Sequence, residues 1–305
     1  MTRHIEPDRA ARLMRTATYA SVTLAAILIG TKLVAWVLTD SVSLLSSMMD
    51  SLMDIAASLI NLVAVRHALT PADREHRFGH GKAEPLASLG QAAFIMGSGV
   101  FIVIQAVHRI MHPATLERTE VGIGVMVFAI IATVVLVAYQ RYVVARTGSP
   151  AIRADSLHYV TDVLVNGSVI VSLLLVTYLD WLYADPIFAI GIALFVLYSA
   201  WKIVREALRH LMDSELPDEE RERIKAIVKA HPKVTSMHEL KTRRSGLQAF
   251  IQLHVEMDGE MSLTEAHDVS DEVEGTILEA FPSAEVIIHS DPEGLMESHP
   301  TYPAH

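Results

Sequence analysis

Two pairs of ionisable residues lie in stretches of sequence that are otherwise apolar. Asp50 and Asp54 occur in SMMDSLMDIAAS, and His158 and Asp162 occur in DSLHYVTDVLVNG. Because an α-helix turns once in about 3.6 residues, a separation of four places both members of each pair on one helix face. If the two helices face each other, three carboxylates and one imidazole can converge tetrahedrally on a divalent cation.

The alternative is that these side chains share no ligand. A single histidine in an apolar helix is often only hydrogen-bonded, and one of the aspartates could pair with Lys32. A charge at mid-bilayer costs roughly 2.5–3.5 kcal/mol on insertion scales, so three uncompensated carboxylates would be very unfavourable. Two matched pairs on two helices therefore favour a metal site.

The available donor atoms restrict which metal such a site would bind. The chain has no cysteine, which excludes disulfides, thiolate nucleophiles and cysteine-based metal sites. Carboxylate and imidazole donors suit Zn²⁺, Fe²⁺, Mn²⁺ or Cd²⁺ and disfavour Cu⁺, whereas Mg²⁺ and Ca²⁺ prefer oxygen-only shells. The spacing does not select among the first four ions.

Six segments are long and apolar enough to span a bilayer core about 30 Å thick, which takes roughly 20 helical residues. They are residues 16–38, 42–66, 86–111, 121–144, 154–179 and 187–208. Fourteen Lys and Arg residues flank these segments on one side and two on the other. This bias predicts that both termini lie in the cytoplasm.

The C-terminal part differs from the rest in charge and composition. Residues 1–210 carry a net charge of +2 and residues 211–305 a net charge of −12. A chain with a net charge of −10 is a poor nucleic-acid binder, because phosphate contacts need concentrated Lys and Arg. The pattern after residue 211 predicts a small α+β domain in the order helix, strand, strand, helix, strand. Ser262 and Glu265 have the spacing of a capping box at the start of its second helix.

The sequence therefore predicts four parts along the chain. They are a cytoplasmic N-terminal tail over residues 1–15, a six-helix transmembrane domain over 16–210, a cytoplasmic metal-binding domain over 211–292 and a disordered tail over 293–305.

Five motifs resemble those of the cation diffusion facilitator family, and within it those of the bacterial ferrous-iron and zinc efflux pumps. They are SVSLLSSMMDSLMDIAASL, HRFGHGKAEPLA, RADSLHYVTDVLVNG, HLMDSELPDEE and VIIHSDP. The resemblance implies six transmembrane helices followed by a ferredoxin-like αββαβ cytoplasmic domain. It also implies a homodimer in the bacterial inner membrane that exchanges metal for protons. The family's transport site would fall on Asp50, Asp54, His158 and Asp162.

The resemblance implies two further metal sites. The first is in the loop PADREHRFGHGK, where histidines would by themselves be regarded as solvated; the residues that match the family's loop site are Asp73, His76 and His80. The second is a binuclear site in the soluble domain, near the contact between two such domains. Its candidate ligands are His238, His254, His267, His289 and Asp291. The last two lie two residues apart on a predicted strand and so project from the same face.

The remaining histidines are predicted to have no role in metal binding. His108 and His112 are expected to be solvated at the end of the third apolar segment, and no partner is predicted for the others, which are His4, His67, His210, His231, His299 and His305.

These features predict a secondary active transporter and not an enzyme. Zn²⁺ or Fe²⁺, with Cd²⁺ as a further candidate, would be both substrate and regulator, and protons would be the counter-ion. No ATP-binding loop of the form GxxxxGK[ST] occurs, and no organic cofactor is expected. One alternative is a membrane-bound metal sensor that binds but does not translocate. Another, a transporter of organic cations, is disfavoured by the imidazole and by the lack of aromatic residues beside the acid pairs.

Overall fold

The computed structural model describes residues 6–39, 42–111, 120–179, 181 and 183–294. Within these ranges the side chains of residues 39, 42–47, 49, 50, 120–123, 173, 176, 177 and 185 lie outside the description. The chain forms two compact units, Met1–Met212 and Asp213–His305.

The first unit is built from six long helices, as predicted. They are α1 (Pro7–Thr39), α2 (Val42–Ala68), α3 (Ala83–Met111), α4 (Glu120–Thr147), α5 (Pro150–Leu179) and α6 (Ala184–Leu211). Among the described residues, five of the six are apolar enough over a sufficient length to cross a membrane. The exception is α5, the helix that carries His158 and Asp162. The unit is therefore a helical transmembrane region.

Two of these helices begin four or more residues before their predicted spans. α1 begins at Pro7, nine residues before the predicted span, so that most of the predicted N-terminal tail is helical. α5 begins at Pro150, four residues before its predicted span. Proline suits a first helical position because it lacks only an N–H that would have no helical partner there. The arginines that follow Pro7 are good helix formers, so the helix extends beyond its apolar part.

A network of buried hydrogen bonds fixes α5 against three other helices. Asp155, 1% exposed, accepts hydrogen bonds from Ser21 Oγ at 2.7 Å, Gln91 Nε2 at 3.1 Å and Gln140 Nε2 at 2.7 Å. These donors lie on α1, α3 and α4. One carboxylate therefore joins four helices, and it lies one helical turn before His158.

Tyr159 extends this network to a fifth helix. Its hydroxyl donates to the backbone carbonyl of Ser21 at 3.1 Å and lies 2.9 Å from Ser58 Oγ on α2. Both side chains are buried. We call these six residues the Asp155 network; they are Ser21, Ser58, Gln91, Gln140, Asp155 and Tyr159.

The second unit has the predicted αββαβ order. Its elements are α7 (Asp218–Lys229), β1 (Ser236–Ser245), β2 (Gln248–Met257), α8 (Leu263–Ala280) and β3 (Ala284–Pro292). The sheet order is β1-β2-β3, with β1 antiparallel and β3 parallel to β2. Ser262 and Glu265 form the predicted capping box at the start of α8.

The sheet has one apolar face and one polar face. On β2, Ile251, Leu253 and Val255 are buried in a core that includes residues of α7 and α8. Since successive strand residues point to opposite faces, His254 lies on the face away from this core. The sheet therefore presents its histidines on the side that the two helices leave uncovered.

Candidate metal centre

The structure brings the facing residues of α2 and α5 together. His158 Nε2 lies 3.0 Å from Asp54 Oδ1 and 3.9 Å from Asp162 Oδ2. One donor atom from each of the three residues lies within 4.8 Å of the other two. Asp50 lies on α2 one turn before Asp54, but its side chain is outside the described part of the chain. Donor atoms at this separation can share one metal ion.

These three residues line a cavity of about 760 Å³ between the helices. Lys32 and Ser51 line the same cavity, and Lys32 Nζ donates a hydrogen bond to Ser51 Oγ at 2.7 Å. The cavity thus contains an ammonium group beside the acids, which the sequence had offered as a pairing partner for one of them. It is large enough for a hydrated ion to reach the carboxylates.

Aromatic residues also line this cavity, contrary to the prediction that none lies near the acid pairs. Phe94 and Phe101 are among the lining residues, and the ring centroids of Phe94 and His158 are 6.1 Å apart. Both phenylalanines come from α3, whereas the prediction considered only the residues near the acids in the sequence of α2 and α5. The argument against an organic cation therefore depends on the carboxylate–imidazole cluster alone.

The loop between α2 and α3 forms a second cluster. Asp73 Oδ1 accepts hydrogen bonds from the backbone N–H groups of Glu75 at 2.9 Å and His76 at 2.7 Å. Its Oδ2 lies 3.3 Å from His80 Nε2. The hydrogen bond from the His76 backbone is the main reason why the pKa of the Asp73 carboxyl is lowered. The loop therefore keeps this carboxylate ionised and directs one oxygen at His80.

The orientation of the His80 ring follows from its surroundings. Its Nδ1 lies 3.3 Å from the backbone carbonyl of Thr70, and a carbonyl can only accept a hydrogen bond. Nδ1 therefore donates to Thr70, and Nε2 is directed at the Asp73 carboxylate. A nitrogen and a carboxylate oxygen at this distance can share a proton or a metal ion. Asp73, His76 and His80 have donor atoms within 4.8 Å of one another.

A third cluster lies on the polar face of the sheet in the second unit. The strand register aligns His238 with His254 and His254 with His289, so the three imidazoles form a row across the sheet. Asp291, 7% exposed, faces all three: the distances from its carboxylate oxygens are 3.4 Å to His238 Nε2, 2.9 Å to His254 Nδ1 and 3.0 Å to His289 Nε2. The tightest group comprises His238, His254 and Asp291.

The fifth predicted ligand of the soluble domain lies elsewhere. His267 is on α8, its side chain is 68% exposed, and Nδ1 lies 3.5 Å from Asp271 Oδ1. Two acidic residues that the sequence analysis did not select lie beside the row of imidazoles. Glu256 Oε1 lies 3.3 Å from His238 Nδ1, and Glu239 Oε2 lies 3.9 Å from His254 Nε2. The strand register, which the sequence does not specify, brings these acids to the cluster.

Two histidines for which no partner was predicted do have neighbours. The ring centroids of His67 and His80 are 4.5 Å apart. His231 Nε2 lies 2.9 Å from Glu272 Oε2 on α8. The first contact spans the loop between α2 and α3, and the second joins the segment that follows α7 to α8. His4, His112, His299 and His305 lie outside the described residues, as do residues 295–305 of the predicted tail.

Family models match nearly the whole chain. Residues 18–212 match a cation efflux transmembrane domain, and residues 216–293 match the cytoplasmic domain of cation efflux proteins. The two matches meet close to the division between the two structural units.

Curated relatives give the same result. The cation-efflux pump FieF of Salmonella choleraesuis (strain SC-B67) is 48% identical over 281 residues, which cover 92% of this chain and 93% of the pump. The pump of the same name from Salmonella newport (strain SL254) matches equally well. Among solved structures, the metal-bound C-terminal domain of the CzcD transporter from Thermotoga maritima is 31% identical; the match covers 26% of this chain and 93% of that domain, with a TM-score of 0.25. The chain belongs to the cation diffusion facilitator family of cation efflux proteins.

Proposed function

We propose that the protein exports divalent metal ions in exchange for protons, with Zn²⁺ or Fe²⁺ as substrate and Cd²⁺ as a further candidate. The observation that carries this proposal is the cluster of Asp54, His158 and Asp162 on two facing helices of the membrane unit, within 4.8 Å and lining a cavity. Asp50 would supply the fourth ligand, because it lies one helical turn from Asp54. Three carboxylates and one imidazole then surround the transported ion.

Proton coupling follows from the chemistry of these ligands. A metal ion binds ionised carboxylates and neutral imidazole, so binding releases protons and protonation weakens binding. If access to the cluster alternates between the two sides of the membrane, the same groups carry metal outward and protons inward. A potential that is negative inside favours proton entry by about 2.3 kcal/mol per charge per 100 mV.

The bias of Lys and Arg supports an orientation with both termini in the cytoplasm of a bacterial cell, and the inner membrane as location. The row of imidazoles around Asp291 supports a regulatory metal site in the second unit. We propose that metal binding there stiffens a homodimer, whose only other partners are metal ions, protons and lipid. No nucleic acid or organic cofactor takes part.

Zinc flux into proteoliposomes loaded with a zinc-sensitive dye tests the transport site. Asp162→Ala and Asp50→Ala should each reduce flux by at least about 100-fold, since direct ligands matter more than outer-shell partners, whose loss costs 10–100-fold. Glu206→Ala is the matched control: its carboxylate pairs with Arg153 at 2.5 Å and lies outside the cluster. This variant should retain flux within about twofold.

Each outcome separates the proposal from an alternative. Normal flux in Asp162→Ala would contradict the assigned transport site. Zinc binding without any flux in the unaltered protein would instead indicate the membrane-bound metal sensor. Flux of small amines in preference to Zn²⁺ would indicate an organic-cation transporter.

A further inference from the structure

We propose that His67 is a fourth ligand of the loop metal site, which then comprises His67, Asp73, His76 and His80. This inference rests on the proposed metal-binding function of the loop and adds to it a residue from the last turn of α2. The loop site becomes a closed four-coordinate site for Zn²⁺ or a similar divalent ion, with three imidazoles and one carboxylate.

The positions of the rings around His80 support this assignment. The ring centroids of His80 and His76 are 4.7 Å apart, and those of His80 and His67 are 4.5 Å apart. Two imidazoles that share a tetrahedral Zn²⁺ at about 2.0 Å have centroids about 5 Å apart. The ring of His67 is therefore about as far from the ring of His80 as the ring of His76 is. Both distances are close to the one expected for two imidazoles that bind the same ion.

The backbone of Thr70 holds two of these histidines in place. Its N–H donates to the backbone carbonyl of His67 at 3.0 Å. Its own carbonyl accepts from His80 Nδ1 at 3.3 Å, which directs His80 Nε2 into the cluster. A hydrogen bond of this kind, from the second ring nitrogen of a ligating histidine, fixes the tautomer and ring orientation in metal sites.

The side chains at the two ends of the segment from His67 to His80 differ in their exposure to solvent. His80 is buried with a side-chain exposure of 3%, whereas His67 is exposed at the end of α2. An exposed imidazole can turn toward an ion that the buried partner already holds. Metal binding would then fasten the end of α2 to the start of α3 within a segment of 14 residues.

The number of ligands determines what the site can do. Catalytic and relay sites keep a coordination position open for water or substrate, while sites with four protein ligands are structural. With His67 bound, the loop has no open position to pass an ion on. The loop site is therefore a resident metal site that stiffens the α2–α3 connection and not a station on the transport path.

Zinc affinity of the full chain in detergent tests the role of His67. Asp162→Ala and His254→Ala are combined to remove binding at the other two clusters, and zinc is titrated against a competing chelator dye. Adding His67→Phe, which keeps an aromatic ring beside His80, should weaken binding at least about tenfold. His108→Phe is the control, because it makes the same substitution at the end of another helix, and it should leave affinity unchanged within about twofold.

Two results would overturn the proposal. One is unchanged affinity in His67→Phe when His76→Ala abolishes binding; the other is no zinc binding at all by the background protein. Neither result bears on the transport site, whose failure would appear in the flux measurements described above. X-ray absorption at the zinc edge gives a second measurement: the imidazole count should fall from three to two in His67→Phe, and a count of two in both proteins would contradict the assignment.

Discussion

Asp155 and Asp162 lie seven residues apart on one face of α5, yet the groups that contact their carboxylates differ. Asp155 accepts hydrogen bonds from one hydroxyl and two amide groups on three other helices. Asp162 lies with Asp54 beside the imidazole of His158 and lines a cavity. One carboxylate has neutral donors that the protein itself supplies, and the other has ionisable neighbours.

This difference separates structural acids from metal-binding acids in a membrane. A buried carboxylate that receives several hydrogen bonds is stabilised without a counter-ion. Carboxylates that face one another and an imidazole are stabilised when a metal ion joins them or when protons neutralise them. The identity of the partners, and not the apolar sequence around an acid, therefore indicates its role.

An Asp→Asn substitution should lower zinc affinity at the candidate metal cluster and lower thermal stability at Asp155. The loss of affinity is the larger effect. Asp54→Asn removes a charged ligand and should weaken zinc binding at the membrane site by more than about 100-fold. Its thermal unfolding temperature in detergent should not fall, because the carboxylate contributes to ion binding and not to packing. Isothermal titration of a chain that also carries His76→Ala and His254→Ala measures the affinity.

At Asp155 we expect a loss of stability with affinity retained. In Asp155→Asn, an amide N–H₂ would face the amide of Gln140 or Gln91, and leaving such buried donors unmatched costs about 1–3 kcal/mol each. The unfolding temperature in detergent should fall by several degrees, and zinc affinity of the folded protein should stay within about threefold. If Asp155→Asn loses zinc affinity as strongly as Asp54→Asn, the distinction between the two acids is wrong.

The smallest effect concerns Glu265, an exposed acid that also receives hydrogen bonds from the protein. The Ser262 backbone N–H is the main reason why the pKa of the Glu265 carboxyl is lowered, and the Ser262 hydroxyl adds to the effect. The capping box therefore stabilises the start of α8 fully above the ordinary pKa of 4.5, and this contribution is lost as the pH falls through the lowered pKa of the folded protein.

Hydrogen exchange of the full chain measures this effect. In Glu265→Gln, amides in the first turn of α8 should exchange faster than in the unaltered protein at pH 6, and the difference should shrink at pH 3.5. Exchange rates are first corrected for their intrinsic pH dependence. A difference that does not depend on pH would show that ionisation of Glu265 is not involved.

The sequence contained the candidate metal-binding pairs but not the means to recognise the acid of the Asp155 network. Helical spacing sufficed for Asp54, His158 and Asp162, because each pair is local and the two helices needed only to face each other. Asp155 has the same residue type in the same helix, and its donors come from α1, α3 and α4. Nothing local distinguishes it, because long-range packing supplies its partners.

The soluble domain shows the same limit in a sheet. Alternation predicted that His289 and Asp291 share a face, and capping rules predicted Ser262 and Glu265 correctly. The row formed by His238, His254 and His289 depends on the register of three strands, which the sequence leaves open. His267 lies on α8 and not on the sheet, and only the fold reveals this.

The Asp155 network also has a consequence for how the cavity can open. On α1, α2, α3 and α4 the cavity residues all lie to one side of the network residue along the helix, as Lys32 lies after Ser21 and Asp54 before Ser58; on α5 they all follow Asp155. The network thus lies at one end of the cavity, which in the proposed orientation is the cytoplasmic end. If the proposed pump opens toward the cytoplasm at this end, the hydrogen bonds of the network would have to separate.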